Sequence, residues 1–274
     1  MRLVHRWVLA VLLPAAASAQ TPAALEVERA EFARWLRTSS VSPYAAVYHQ
    51  PFSGELVLGP SSPPPLDRLP EAKLDQGIFS LSLETETGDR TVPRNRDVAL
   101  GDWRLRVSGE RGRSVVTIFG NPTSSEPPGW YDYAESMVVD GVLQAPDDRE
   151  SRRMFGLDGV EVEGTRAGTF VAIVADQPVR LAVFRLPEPG TEESELQIFF
   201  RDATNDRGTY PAGRFLTLRP LGGNRYRADF NRARNPFCAY NGIFPCPLPW
   251  SGNAIDAPIE AGERYNGSGT EAFE

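Results

Sequence analysis

The feature that most constrains the fold of this chain is a succession of short apolar runs separated by turn-forming residues. About a dozen runs of about 4–8 residues follow one another between residues 56 and 230. Trp103–Val107 alternates apolar and polar residues, whereas Val115–Phe119 is nearly all apolar, which indicates burial on both faces. The 24 prolines and 24 glycines lie mostly between the runs, as turn residues do. The pattern predicts an all-β, mainly antiparallel sandwich or barrel.

One amphipathic helix is expected before the strands, within residues 20–40. Pro22 suits the first turn of a helix, and the pattern continues to Arg37. The apolar residues that fall near one helix face are Leu25, Phe32, Trp35 and Leu36. We expect this helix to pack across a sheet.

The strand-rich remainder is predicted to form two regions. An N-terminal β-sandwich-like region would cover residues 41–188, and a C-terminal β region would cover residues 189–265. The boundary is placed at Pro187–Gly190, which is either a linker or a long hairpin turn. Residues 266–274 are small and polar, and we expect a disordered tail there.

Residues 1–19 are expected to be a secretory signal peptide. Arg2 and Arg6 precede the apolar run Trp7–Leu13, and Ala17–Ala19 has the small-x-small pattern of a cleavage site. The alternative is an uncleaved N-terminal anchor, although a membrane-spanning helix needs roughly 20 apolar residues. We therefore predict a periplasmic or secreted protein with no membrane span in its mature chain.

The charge balance argues against a nucleic-acid partner. The chain has 29 basic and 36 acidic residues, a net charge of −7, and loss of Arg2 and Arg6 with the signal peptide would make it −9. Binding to nucleic-acid phosphates needs clustered positive charge. We expect no nucleic acid among the partners.

Several kinds of catalytic and cofactor site are missing from the sequence. Beyond residue 19 there is one histidine, His49, with no catalytic motif around it. Neither a Ser-His-Asp triad nor a histidine-ligated zinc site is therefore expected. The chain also lacks a glycine-rich phosphate loop. We predict neither a metal nor a cofactor.

The two cysteines, Cys238 and Cys246, are expected to form a disulfide. An exported protein meets an oxidising environment, and two cysteines make one pair. The alternatives are thiolate ligands of a metal, for which partners are lacking, and a reactive pair, which usually has the narrower Cys-x-x-Cys spacing.

The densest set of polar side chains lies in the last third of the chain, around neighbouring strand ends. If these strands pair, the side chains meet in one corner, which is the candidate ligand-binding site: Asp202, Thr204, Tyr210, Arg214, Asp229, Asn231, Arg232, Asn235 and Tyr240. Arg214 and Arg232 could bind a carboxylate or phosphate through paired hydrogen bonds.

Other interpretations of these residues stay open. Asp202 and Asp229 could act as a general acid and base or bind a hard cation. All of the polar groups could instead satisfy turn backbone and lock a loop-rich corner by ion pairing. Upstream, Trp130–Tyr133 could form a stacking platform for a ligand or the edge of a β core.

Motifs in the same region resemble those of a known family. Over about residues 195–264 the chain is similar to the C-terminal motif block of a family of uncharacterised bacterial proteins, a domain of unknown function, in the segments Phe200–Thr204, Thr209–Leu216, Asp229–Ala233, Asn235–Tyr240 and Cys246–Pro249. The N-terminal half loosely resembles forkhead-associated β-sandwiches, without a match to their phosphate-binding arginine and serine. The resemblance implies an all-β fold and no established activity.

The sequence therefore predicts an exported β-protein that binds a small anionic ligand or an envelope protein through the C-terminal corner. A hydrolase that uses Asp202 and Asp229, with or without a metal, is one alternative. A purely structural envelope protein is another. Convergence of the two carboxylates in a pocket would favour the hydrolase, and full engagement of the polar groups by backbone and ion pairs would favour the structural role.

Overall fold

The structure is a computed structural model that describes residues 22–77, 80–146, 148, 150–191, 193–248, 250, 252–265 and 267. The predicted signal peptide lies outside these residues, as does the predicted tail apart from Gly267.

In the described part of the chain, one α-helix, α1 (Pro22–Thr38), precedes the strands. Its inner face buries Leu25 and Leu36, and Phe32 stacks on Trp35 with 5.7 Å between ring centroids. A helix of this length depends on the packing of its apolar stripe for stability. The predicted N-terminal helix is confirmed.

Residues 46–119 form two four-stranded antiparallel sheets that share one core, as the two layers of a sandwich do. The strands are β1 (Ala46–Phe52), β2 (Glu55–Leu58), β3 (Ala72–Gln76), β4 (Leu81–Thr85), β5 (Gly88–Thr91), β6 (Asp97–Leu100), β7 (Trp103–Ser108) and β8 (Ser114–Phe119). The strand order is β1-β8-β7-β6 in one sheet and β2-β3-β4-β5 in the other.

The second half of the chain forms a closed antiparallel barrel. Its strands are β9 (Val138–Gln144), β10 (Ser151–Phe155), β11 (Glu161–Val174), β12 (Gln177–Pro187), β13 (Ser194–Asp202), β14 (Arg214–Gly222), β15 (Arg225–Asp229) and β16 (Ala254–Ile255). Strands β11 to β15 pair in chain order, and β9 pairs with both β15 and β11, so that six strands close the barrel. Strand β10 extends the sheet beside β11, and β16 runs parallel to the end of β13.

Gly168 allows β9 to close the barrel. The register between β11 and β12 shifts at Gly168, where φ is +151° and a Cβ would lie 2.2 Å from the Gln144 carbonyl oxygen of β9. A glycine is therefore required. The irregularity divides β11 into a part that pairs with β10, through Thr165, and a part that pairs with β9, from Thr169 onwards.

The boundary expected at residues 188 and 189 falls in a hairpin turn. Pro187 at the end of β12 pairs with Ser194 at the start of β13, so strands from both sides of the boundary lie in one sheet. Strands β9 to β12, which we had grouped with the N-terminal region, are therefore part of the barrel.

Two apolar cores flank the barrel wall. The interior holds Phe170, Phe200 and Phe230. The outer face of the wall packs Phe184 and Phe199 with Ala46 of β1 and Phe119 of β8. The predicted all-β, mainly antiparallel fold with one N-terminal helix is confirmed. Among the described residues, no helix is both long and apolar enough to cross a membrane.

Candidate functional site

Helix α1 lies beside the barrel and leaves a cleft of about 720 Å³, which we call the helix–barrel cleft. Leu25, Glu28, Arg29 and Phe32 form the helix wall, because side chains three and four positions apart share one helix face. The opposite wall comes from strands β12 to β15, from the turn at residues 231–234 and from Trp130. A volume of this size is typical of small-molecule sites.

Positive charge predominates in the cleft. Five arginines line it, Arg29, Arg185, Arg219, Arg232 and Arg234, against the three carboxylates of Glu28, Glu188 and Glu195. The whole chain has a net charge of −7, so the charge of the cleft is opposite in sign to that of the whole chain.

Two of the carboxylates neutralise arginines directly. Glu28 of α1 accepts hydrogen bonds from Arg232 Nε at 2.8 Å and Nη2 at 3.0 Å, and it lies 3.9 Å from Arg219. Glu188 lies 3.4 Å from Arg234, and burial raises the pKa of Glu188 even though Arg234 opposes this. The Glu28 carboxylate is thus shared by two arginines, and the Glu188 carboxyl group ionises less readily than usual.

Arg29 connects the helix to the barrel without a carboxylate. Its guanidinium lies 4.7 Å from the centre of the Trp130 ring, and it donates to the carbonyl oxygens of Tyr131 at 3.1 Å and Asn231 at 3.2 Å. Its Nε is buried and has no hydrogen-bond partner within the described structure. Burial lowers the pKa of Arg29.

A second group of polar residues is buried inside the corner. We call it the Arg214 network: Asp202, Thr204 and Arg214, together with the backbone of Ile259, Ala261 and Glu263. Arg214 is fully buried and pairs with Asp202 at 2.9 Å. It also donates to the carbonyl oxygens of Ile259 at 2.9 Å, of Glu263 at 3.3 Å and of Ala261.

Asp202 is equally occupied. Its Oδ1 accepts from Thr204 N at 2.8 Å, from Thr204 Oγ1 at 2.5 Å and from the Ile259 amide at 3.1 Å. The network therefore fastens the returning segment 259–263 to the start of β14, and Arg214 has no exposed surface to offer a ligand.

Asp229 and Asn231 fix the turn after β15. Asp229 caps this turn by accepting from the Asn231 amide at 3.1 Å, and it also pairs with Arg232. The Asn231 side chain exchanges two hydrogen bonds of 2.9 Å with the backbone of Ala134. These contacts place Arg232 at the edge of the cleft.

Glu263 is a buried residue that we did not include among the candidate site residues. It is fully buried, and its carboxylate accepts from the Asn235 amide at 2.8 Å and from the Tyr240 hydroxyl. Burial raises the pKa of Glu263 to about 7. Its place within residues 195–264, where the sequence resembles the family's motif block, was the available signal, but only folding brings it beside Asn235 and Tyr240.

The expected disulfide is absent, and this prediction was wrong. Cys238 and Cys246 are free thiols. The Tyr210 hydroxyl contacts both thiols, at 3.2 Å from Cys238 Sγ and 3.1 Å from Cys246 Sγ. A hydrogen bond from Cys238 lowers the pKa of Cys246 to about 6.

The structure brings the nine predicted site residues into one region but gives them different surroundings. Asn231 and Arg232 line the cleft, whereas Asp202, Thr204, Tyr210, Arg214, Asp229, Asn235 and Tyr240 do not. Asp202 and Asp229 are held in separate sets of contacts. No group of three or more His, Cys, Asp or Glu residues suited to a metal occurs in the described part of the chain.

The comparisons with known proteins locate a family in the same half of the chain. Residues 129–264 match the model of the family described as "Protein of unknown function (DUF1684)". The C-terminal half of the chain is therefore similar to this family. The DUF1684 match confirms the predicted resemblance and extends it upstream from residue 195 to residue 129, so it takes in β9 to β16 and Trp130. Helix α1 lies outside the match, so the cleft has one wall within the DUF1684 region and one outside it.

A search of curated proteins found no match. Among solved structures, the chain is similar to an uncharacterized protein of Haloarcula marismortui, solved by solution NMR, with 28% identity and a TM-score of 0.45. The similarity covers 52% of this chain and 78% of that protein. The forkhead-associated resemblance of the N-terminal half stays a prediction.

Proposed function

We propose that the protein binds a small anionic ligand in the helix–barrel cleft. The observation that carries the proposal is the lining of five arginines against three carboxylates in a cleft of about 720 Å³. Guanidinium groups bind carboxylates and phosphates through paired hydrogen bonds. A concave site with one sign of charge also concentrates ligands of the opposite sign.

Arg185 and Arg219 are the arginines best placed to receive the ligand. Both side chains are exposed at the rim. No hydrogen bond or ion pair to the Arg185 side chain is found among the described residues. Arg219 lies 3.9 Å from a Glu28 carboxylate that already holds Arg232. With five arginines against three carboxylates in the lining, an incoming anion meets a net positive charge.

Thermal unfolding in the presence of anions tests the proposal. Acetate, benzoate, octanoate and inorganic phosphate would be compared at constant ionic strength, because salt alone changes surface electrostatics. We expect at least one of them to raise Tm, since a ligand at 100 times its Kd adds about 2.7 kcal/mol of stability. Benzamide, which is uncharged, should have no comparable effect.

A pair of variants on one strand assigns the effect to the cleft. Arg185→Ala should reduce the anion-dependent rise in Tm, whereas Arg180→Ala, an exposed arginine of β12 outside the cleft, should leave it intact. Equal loss in both variants, or no stabilisation of the wild-type protein by any of the anions, would overturn the proposal.

We also propose that the protein is exported to the periplasm or secreted. The support is the sequence pattern of residues 1–19. Mass spectrometry of the expressed protein should find a chain that starts at Gln20, and Ala19→Arg should block this cleavage. Recovery of the uncleaved chain from the cytoplasm alone would contradict export.

A further inference from the structure

The helix–barrel cleft is apolar at its floor and charged at its rim. Leu25 of α1 and Leu218 of β14 are 3% and 4% exposed, so they lie at the bottom. Arg185 and Arg219 are exposed and lie at the top. A ligand that fills the cleft therefore meets two chemically different surfaces.

The apolar surface is continuous with the interior of the barrel. Leu218 belongs to the barrel core, and Leu196 and Tyr226 pack against that core while they also line the cleft. Across the cleft, Phe32 of α1 contacts the edge of the Trp130 ring, with 6.2 Å between centroids. Both walls therefore present aromatic or aliphatic side chains below the arginines.

Resting on the proposed function, we infer that the ligand is an amphipathic anion with a carboxylate or phosphate head and an apolar body. Arg185 and Arg219 bind the head at the rim, and the body lies between Phe32 and Leu196 above the floor. A small polar anion would leave this apolar surface in water. An apolar body of several carbons removes it from water, which strengthens binding.

Calorimetric titration with a series of straight-chain acids tests the inference. Propanoate, hexanoate and octanoate carry the same head and differ in the length of the body. We expect affinity to rise by about fourfold for each methylene that becomes buried. Octanol should bind more weakly than octanoate, and octyl phosphate against octanoate shows which head the arginines prefer.

Variants of the apolar walls locate the body of the ligand. Phe32→Ala should flatten the dependence on chain length while propanoate binding changes little. Val27→Ala is the control, because Val27 is 57% exposed and lies on α1 outside the cleft. Leu196→Ala repeats the test from the barrel side in case Phe32→Ala fails to fold, which thermal unfolding would show.

The outcomes separate the inference from the proposed function. If anions bind with equal affinity at every chain length, anion binding stands and the amphipathic ligand is refuted. If octanol binds as tightly as octanoate, or if no anion binds, both are refuted. If wall variants that fold keep the full dependence on chain length, the body does not lie between Phe32 and Leu196 and the inference fails.

Discussion

The Arg214 network and the helix–barrel cleft both use arginines of the C-terminal half, yet the two regions treat the charge differently. Arg214 is fully buried, and its partners are one carboxylate and three carbonyl oxygens. Arg219, five residues further along β14, has a side chain that is 45% exposed and lies 3.9 Å from the Glu28 carboxylate.

The comparison shows that residue type alone does not mark a binding site. A buried guanidinium is tolerated only when charge and hydrogen bonds compensate its loss of water, so Arg214 has little capacity left for a ligand. A rim guanidinium keeps its water and can exchange it for an anion. Burial and hydrogen bonding therefore assign Arg214 to folding, whereas its exposure suits Arg219 to binding.

Replacement of Arg214 should have the largest effect on stability. Arg214→Ala leaves the Asp202 carboxylate, whose side chain is 1% exposed, without its counter-ion. Breaking a buried pair from one side costs about 3–5 kcal/mol, and we expect this loss in the free energy of unfolding measured with urea. A loss as small as that of an exposed arginine would remove the distinction between the two regions.

Glu263 should make a smaller, pH-dependent contribution. Burial raises its pKa from 4.5 to about 7, so between these values the folded protein binds more protons than the unfolded chain. This stabilising contribution is present at low pH and is lost as pH rises through 7. Relative to Glu263→Gln, the wild-type protein should gain about 2 kcal/mol of unfolding free energy as the pH is lowered from 8 to 5.

The comparison with the Gln variant is needed because other groups titrate in the same range. Burial lowers the pKa of His49 to about 4, which destabilises the folded protein as pH falls below 6.5. Both proteins carry His49, so its effect cancels in the difference. A difference that does not change with pH would show that Glu263 is ionised normally in the folded protein.

Arg219→Ala should have the smallest effect on stability. An exposed ion pair at 3.9 Å contributes little, so we expect the unfolding free energy to change by less than about 0.5 kcal/mol. The same variant should weaken anion binding measured by calorimetry. Substantial unfolding on this substitution would show that the rim arginine also supports the fold.

Much of the fold could be predicted because its signals are local. The short runs bounded by proline and glycine correspond to strands. Gly222, with φ of +108°, ends β14, and Gly223, with φ of +59°, begins the turn to β15. Helix α1 likewise follows from the spacing of its apolar residues. Register and closure of the barrel could not be predicted, because β9 pairs with β15 across more than 80 positions.

The cleft escaped prediction for the same reason. Glu28 and Arg232 are 204 positions apart, and Arg29 and Asn231 are 202 apart, so no window of sequence contains both walls. Arg106 shows the limit of periodicity on a strand. Its place in an alternating run predicts exposure, but it is buried, where Asp97 and the Phe119 ring accommodate it.

The double pairing of β9 sets a lower bound on the fragment that can fold by itself. Without Val138–Gln144, strands β11 and β15 would each expose backbone N–H and C=O groups that now pair with β9. Exposed strand edges of this kind promote aggregation. A fragment that starts after residue 144 would therefore form an open, aggregation-prone sheet. A fragment that starts at Gly129 keeps β9, which joins β11 to β15 and closes the barrel.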